Sequence, residues 1–145
     1  MKEIEFHFNV PDKLDYACRL LRKVHHRSMR ALVTAETEVL AELDRFLWQF
    51  SSTEFLPHCM ATAGATLIHS TSIILAEETG TWAEEGVLIN LGRKIPAGFE
   101  RFERFVELVS EQPEDRIAGR DRWKTYKDGG FELKRHDVAA ARETP

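Results

Sequence analysis

The stretch "EIEFHFNVPDKLDYACRLLRKVHHRSMRALVTA" (Glu3–Ala35) decides the fold, because its hydrophobic period changes twice. Apolar residues first alternate along Glu3–Val10, which predicts a strand. Pro11 can then open a helix. Helical spacing next relates Leu14, Cys18, Leu21 and His25. "RALVTA" (Arg30–Ala35) is a short apolar run that is typical of a buried strand. A strand, a helix and a second strand in this order indicate that the strands pair in parallel.

The rest of the chain continues the alternation of strands and helices. The predicted elements are a helix at Thr37–Phe50, strands at Ser72–Ala76 and Gly86–Gly92, helices at Ala97–Val109 and Pro113–Gly129, and a last strand at Phe131–Arg135. The helix at Ala97–Val109 is inferred from one stripe: Phe99, Phe102, Phe105, Val106 and Val109. The stretch Ser51–Thr71 is predicted to be a loop with some short structure. We therefore expect an α/β fold, a three-layer sandwich around a mostly parallel sheet.

The length and the composition of the chain are those of a single domain. A chain of 145 residues, 43% of them hydrophobic, can bury a core of its own. We expect a single domain over residues 1–137 and a flexible tail over 138–145. Cys18 and Cys59 are too few for a disulfide framework, and the start does not resemble a signal peptide. These features predict a cytoplasmic protein without a membrane span. Net acidity also argues against wrapping nucleic acid over a broad surface.

Motifs for nucleotide and metal chemistry are missing from the sequence. The turn after the first strand, "NVPDKLDY", holds no glycine, and neither G-x-G-x-x-G nor G-x-x-x-x-G-K-[ST] occurs. No two histidines lie three or four residues apart on a predicted helix, and the cysteines form no C-x-x-C. We therefore expect no phosphate-binding loop, no metal and no cofactor.

Two catalytic alternatives stay open. His58 beside Cys59 is the one pair that could act as base and nucleophile, although neighbours in a chain usually point apart. Glu77–Glu78 and Glu84–Glu85 could form paired carboxylates, but solvated charge explains them better. An enzyme with a loop site around His58 is the weaker hypothesis, and we expect no catalytic activity.

The segment "RDRWKTYKDGGFEL" (Arg120–Leu133) combines cations with aromatic residues. Arg120–Lys127 holds four basic and one acidic residue, four minus one or +3, whereas the whole chain has a net charge of -4. On a helix, one arc of about 100° contains Arg120, Trp123, Lys124 and Lys127. The helix has no apolar stripe for the core, and the rest of the chain is acidic. We therefore interpret the arc as a binding face and not as a solvated one.

Two ligand classes suit such a face. Single-stranded nucleic acid could stack bases on Trp123 and place phosphates on the cations. An acidic peptide that ends in a hydrophobic residue could place its carboxylate on an arginine fork and its acids near the lysines. Val109, at the end of the preceding predicted helix, could help to wall a pocket for the last side chain.

Several blocks of the chain resemble the chi subunit of bacterial DNA polymerase III holoenzyme. They are "FHFNV", "RALVTAETEVLAELDRFLW", "EFLPH", "LINLGRKIPAGFERFERFVELV" and "RDRWKTYKDGGFEL". The resemblance covers most of the chain and is weakest over residues 59–85 and at the tail. It implies a Rossmann-like fold without nucleotide chemistry and an accessory role in the clamp-loader assembly.

The resemblance also implies two partners. The first is the acidic C-terminal tail of single-stranded-DNA-binding protein, which ends in Pro-Phe. The residues implied for tail binding are Val109, Arg120, Trp123 and Lys124, with Tyr126 adjacent and Lys127 one turn beyond. The second partner is the psi subunit or another clamp-loader component, and DNA is reached only through these proteins.

A second interface is expected on the helix at Thr37–Phe50. Its core arc is predicted to hold Val39, Leu40, Leu43, Phe46, Leu47 and Phe50. Trp48 lies outside that arc, which suits either an interface residue or a ring covered by the Ser51–Thr71 loop. The resemblance implies a psi contact at Phe55, with Pro57 nearby. Direct binding of single-stranded nucleic acid through the basic helix remains the alternative function.

Overall fold

The computed structural model describes residues 3–49, 56–60, 71–80 and 86–139. The strands are β1 (Glu3–Val10), β2 (Ala31–Thr34), β3 (His58–Met60), β4 (Ile73–Ala76), β5 (Val87–Asn90), β6 (Arg104–Ser110) and β7 (Glu132–Asp137). The helices are α1 (Lys13–His26), α2 (Thr37–Gln49) and α3 (Pro113–Asp128), with a short 3-10 helix at Phe99–Arg101. Among these residues no helix has the length and apolar content that a membrane span requires.

The strands form one sheet in the order β3-β4-β2-β5-β6-β1-β7. Every neighbouring pair is parallel, so the sheet is fully and not only mostly parallel. Helices α1 and α2 cover one face, where Leu21 and Leu43 are fully buried. Helix α3 and the 3-10 segment cover the other face with Tyr126 and Phe99. This arrangement confirms the predicted three-layer α/β sandwich.

The predicted helix at Ala97–Val109 is wrong. Gly98 adopts a left-handed conformation with φ 82°, the 3-10 turn at Phe99–Arg101 follows, and the chain then becomes β6. Strand β6 lies between β5 and β1 and is buried on both faces, so its apolar residues do not alternate with polar ones. Phe105 and Val109 face α3, whereas Val106 and Leu108 face α1. Apolar residues from both faces of β6 thus have a spacing in the sequence that resembles the single apolar stripe of a helix.

The remaining predicted elements match the structure to within a few residues. Within the loop expected at Ser51–Thr71, the described part contains the three-residue edge strand β3. Of the tail expected over 138–145, only residues 138 and 139 are described, and Val138 is buried.

Candidate functional site

Helix α3 packs unusually close to β6. A β carbon at Gly119 would lie 2.9 Å from both γ carbons of Val109, so only glycine permits this approach. Asp115 fixes the start of the helix, since its carboxylate accepts the Ser110 amide at 2.7 Å and the Lys13 ammonium at 2.9 Å. Burial would raise the pKa of Asp115, but the Ser110 and Lys13 contacts lower it below its ordinary value. Helix α3 is therefore held at its first turn by Asp115 and, one to two turns later, by the close packing of Gly119 on Val109.

The buried side of α3 is charged. Arg122 Nε donates to Glu107 Oε2 at 3.0 Å, and its Nη1 donates to the Arg93 carbonyl at 3.0 Å. The Tyr126 hydroxyl also donates to Glu107 Oε2, at 2.5 Å, and the Asn90 amide donates to Oε1 at 2.9 Å. Burial raises the pKa of Glu107, and the charge of Arg122 opposes that rise. This network replaces the apolar stripe that the helix lacks.

Two residues of the basic-aromatic segment therefore belong to the core. Tyr126 is 1% exposed, so the expectation that it contributes to a ligand-binding face is wrong. Arg122 is buried and paired with Glu107, so it adds nothing to the surface charge. The exposed cations of the arc are Arg120, Lys124 and Lys127, and Trp123 is half-buried between them and the sheet.

A groove of about 350 Å³ lies between the N-terminal half of α3 and the carboxyl ends of three strands. It is lined by Phe6, Phe8, Asn9, Val109, Arg116, Gly119, Arg120, Trp123 and Arg135. The structure thus brings together the predicted residues Val109, Arg120 and Trp123. Lys124 and Lys127 are on the same helix but lie outside the groove.

The groove has an aromatic floor and a cationic rim. The Trp123 ring meets the edge of Phe6 with the ring centroids 5.1 Å apart. The Arg135 guanidinium carbon lies 5.0 Å from the centre of the Phe8 ring, a cation–π distance. Arg116 and Arg120 are exposed on the helix side, and no carboxylate is among the residues that line the groove. Such a site suits an anion attached to an apolar group.

Sequence reasoning missed part of this groove. Arg116 precedes Arg120 by four residues, so helical spacing alone could have placed both on one face. Phe8 and Arg135 come from β1 and β7, which pair in parallel at the edge of the sheet. Their place in the groove depends on strand order, which no local pattern encodes.

A second exposed region lies on α2. Trp48 is 59% exposed, which confirms its predicted outward position. Phe46, predicted to lie in the core, is 42% exposed, so that prediction is wrong. The Trp48 ring packs 5.0 Å from the ring of His58, and Pro57 is half-buried beside it. Phe55 lies outside the described residues.

The His58–Cys59 pair is not arranged for catalysis. His58 Nδ1 lies 2.7 Å from the Leu56 carbonyl oxygen, and its Nε2 lies 3.0 Å from Asp44 Oδ1. Cys59 packs in the core on the α3 side of the sheet, away from the imidazole. No group of metal-binding side chains occurs in residues 3–49, 56–60, 71–80 and 86–139.

A larger pocket of about 750 Å³ opens at the carboxyl ends of β2 and β5. Its floor is already hydrogen-bonded, since Thr34 Oγ1 donates to Asn90 Oδ1 at 3.0 Å. Its rim is acidic, with Glu36, Glu77 and Glu78. Its lining also includes Lys94 and Arg101, so acidic and basic groups share this pocket, whereas the groove is lined by arginines without a carboxylate.

Comparison with known proteins points to one family. Residues 1–134 match the family model described as DNA polymerase III chi subunit, HolC. The chain is 34% identical over 125 residues to DNA polymerase III subunit chi of Pseudomonas aeruginosa, covering 86% of this chain and 85% of that one. It is 26% identical over 131 residues to the subunit of the same name from Haemophilus influenzae, covering 86% of each.

A solved structure resembles the chain in fold alone. It is a complex of S. cerevisiae Dbp5 with Nup159, Gle1, IP6 and ADP, matched with a TM-score of 0.61 at 12% identity. The match covers 95% of this chain but only 42% of the chain in that structure.

Proposed function

The chain belongs to the DNA polymerase III chi subunit family, and from that premise we propose that its groove binds the acidic C-terminal tail of single-stranded-DNA-binding protein. The protein is thereby an accessory subunit of the replicative polymerase. Its task is to connect the coated single strand with the clamp-loader assembly, in the cytoplasm and without catalysis of its own.

The observation that carries this proposal is the combination of an aromatic floor with three arginines. A C-terminal phenylalanine presents a ring and a carboxylate a few bonds apart. The ring suits the surface formed by Phe6, Trp123 and Val109, and the carboxylate suits the fork of Arg120. Arg116 and Arg135 add two further donors at the rim.

The size of the groove limits what it holds. At about 350 Å³ it lies at the small end of ligand pockets, which span roughly 300–1,000 Å³. It accommodates the end of a tail and not a long segment. The acidic residues upstream then lie outside it, where Lys124 and Lys127 attract them on the exposed face of α3.

Direct binding of single-stranded nucleic acid by α3 is less well supported. Stacking requires an open ring face, whereas Trp123 is half-buried and packed against Phe6. Arg122, one of the four basic residues of Arg120–Lys127, is paired with Glu107 in the core and cannot contact a phosphate.

The second proposed contact is with the psi subunit or another clamp-loader component, through Trp48 and Pro57 and through Phe55, which lies outside the described residues. The 59% exposure of the Trp48 ring supports it, because tryptophan is enriched at the centres of interfaces. Trp48→Ala should leave thermal stability nearly unchanged but weaken capture of purified clamp-loader subunits. A large loss of stability would instead assign the ring to the core.

The tail hypothesis is tested by calorimetric titration with a synthetic acidic peptide that ends in Pro-Phe. The free peptide should bind, and amidating its C-terminus or deleting its last residue should abolish binding. Arg120→Ala should weaken binding by about 1.5–3 kcal/mol, roughly 10- to 150-fold. Arg120→Lys should also weaken it, since lysine keeps the charge but loses the fork.

Arg45→Ala is the matched control, because it removes the same charge from an exposed position on α2, on the opposite face of the sheet. Equal loss in both variants would indicate a long-range charge effect and no site. Tight binding of oligo-dT through Trp123, with no binding of the peptide, would favour the nucleic-acid alternative.

A further inference from the structure

A second basic surface lies on α1, on the opposite face of the sheet from the groove. Residues 16–35 contain five Lys or Arg (Arg19, Arg22, Lys23, Arg27 and Arg30) and no Asp or Glu. The expectation that positive charge is concentrated in Arg120–Lys127 alone is therefore wrong. In a chain of net charge -4, an acid-free stretch of this length requires an explanation.

The cations of α1 form one ridge. The spacing i, i+3, i+4, i+7 and i+8 relates Arg19, Arg22, Lys23, His26 and Arg27, all of which are exposed. The opposite side of the helix is apolar and buried through Ala17, Cys18, Leu21 and Val24. At 1.5 Å per residue, the ridge is about 12 Å long.

Favourable interaction with the helix dipole explains only part of the ridge. A cation in the last turn of a helix meets the negative end of its dipole, which accounts for Lys23. Arg19 and Arg22 lie before that turn. Arg19 pairs with Asp15 at 3.0 Å, whereas Lys23 and Arg27 form no ion pair with any residue that the structure describes.

We propose that this ridge, called the α1 ridge below, binds the phosphate backbone of DNA. About 12 Å corresponds to three or four phosphates of one strand of a duplex, counted along the helix axis at roughly 3.4 Å each. The exposed large apolar side chains among the described residues are Phe46, Trp48 and Ile117, and none of them is on α1. Neither described pocket includes a residue of α1.

The lack of exposed apolar side chains and pockets near the α1 ridge favours a polyanion as its partner. An acidic peptide with an apolar anchor needs a pocket, and a bilayer needs apolar side chains that insert. A polyanion needs only the cations. Membership in a DNA polymerase subunit family places DNA close to the protein. The ridge and the groove face opposite sides, so DNA and a protein tail could be held at the same time.

The test is fluorescence anisotropy with labelled oligo-dT and, separately, a labelled duplex, from 50 to 200 mM salt. We expect weak binding, with Kd in the range of non-specific contacts, ~10⁻⁴–10⁻⁶ M. The variant Arg22→Ala/Lys23→Ala/Arg27→Ala should bind oligo-dT at least about tenfold less tightly. Its salt slope should fall by about 2, since each phosphate contact on a single strand contributes about 0.7.

The matched control is Arg120→Ala/Lys124→Ala/Lys127→Ala, which removes the same charge from α3. It should keep DNA binding within about threefold while losing the tail peptide, and the α1 variant should show the reverse. A milder variant, Lys23→Gln/Arg27→Gln, should lower the slope by about 1.4 and checks the result should the triple variant fold poorly.

Three outcomes would overturn the proposal. One is no DNA binding at 50 mM salt with 100 µM protein. Another is loss of binding in the α3 variant and not in the α1 variant. The third is equally tight, α1-dependent binding of polyglutamate or of phosphatidylserine vesicles, which would assign the ridge to a different polyanion. Failure of the tail peptide to bind would leave the DNA result standing, because the two surfaces share no residue.

Discussion

Helices α1 and α3 both carry exposed cations, but they attach to the sheet in opposite ways. The inner side of α1 is apolar, with Ala17, Leu21 and Val24 in the core. The inner side of α3 places Arg122 and Tyr126 against the fully buried Glu107. A helix with an apolar inner side can be read from its sequence. In a helix held by buried charge the ends can be read, here at Pro113 and Gly129, but the inner side cannot, since its core residues look like surface residues.

The largest effect is expected from breaking the charged attachment of α3. Glu107→Ala leaves Arg122 buried without its counter-charge and removes the acceptor of Tyr126 and Asn90. We expect a loss of about 3–5 kcal/mol in the free energy of unfolding. Chemical denaturation of the parent and the variant measures it.

Arg19→Ala on α1 is the matched control, because it removes an exposed ion pair with Asp15 at 3.0 Å. Its cost should be no more than about 0.5 kcal/mol. The double variant Glu107→Leu/Arg122→Met should recover part of the stability, since it removes the unpaired buried charge but leaves the Tyr126 hydroxyl without its acceptor. Similar small costs for Glu107→Ala and Arg19→Ala would show that the network does not hold α3.

This contrast explains what the sequence could predict. Binary patterning placed α1, α2 and five of the seven strands, and it placed Arg120, Trp123 and Lys124 on one helical face. It failed at β6, whose two buried faces imitated a helix around Glu107. The charge count of the basic segment included Arg122, and the resemblance placed Tyr126 beside the tail-binding residues, although both are buried. Pairing of a buried arginine with a glutamate 15 positions earlier is a tertiary fact that no local spacing contains.

The second prediction concerns the polar cluster beneath α1. Hydrogen bonding to His7 and the ion pair with Arg104, whose Nε lies 2.6 Å from Glu5 Oε2, lower the pKa of Glu5 to about 2. The folded pKa is below the ordinary value of 4.5, so the folded state gains stability above pH 4.5. That gain is lost as the pH falls from about 4.5 to about 2.

Glu5→Gln tests this linkage. At pH 7 the variant should be less stable by on the order of 2–3 kcal/mol, allowing for the partial exposure of the carboxylate. Thermal unfolding measured from pH 7 to pH 2 should show the difference between parent and variant shrinking below pH 4.5. A difference that stays constant over this range would indicate lost packing and not lost charge.

The third prediction concerns the close packing of α3 on β6. Gly119→Ala places a methyl group 2.9 Å from the γ carbons of Val109, and overpacking of this kind costs about 1–3 kcal/mol. The same methyl group lines the groove, so tail-peptide binding should weaken as well. Adding Val109→Ala makes room and should restore part of the stability. Full stability of Gly119→Ala alone would show that α3 can move away from the sheet.

The smallest effect is expected at Lys127, and it distinguishes contact within the groove from steering around it. Lys127 is exposed and lies outside the groove, on the same helix as Arg120. A rim charge acts mainly on encounter, so Lys127→Ala should slow association two- to threefold by our estimate, ~0.5 kcal/mol, and leave dissociation unchanged. Stopped-flow mixing with the acidic peptide at rising salt should show the association rates of the parent and of Lys127→Ala converging, because salt screens the charge of Lys127.

Arg120→Ala, in contrast, should mainly speed dissociation of the peptide, and its affinity should stay low at every salt concentration. Should Lys127→Ala instead accelerate dissociation as strongly as Arg120→Ala, the lysine would contact the bound peptide directly, and the site would extend two turns along α3.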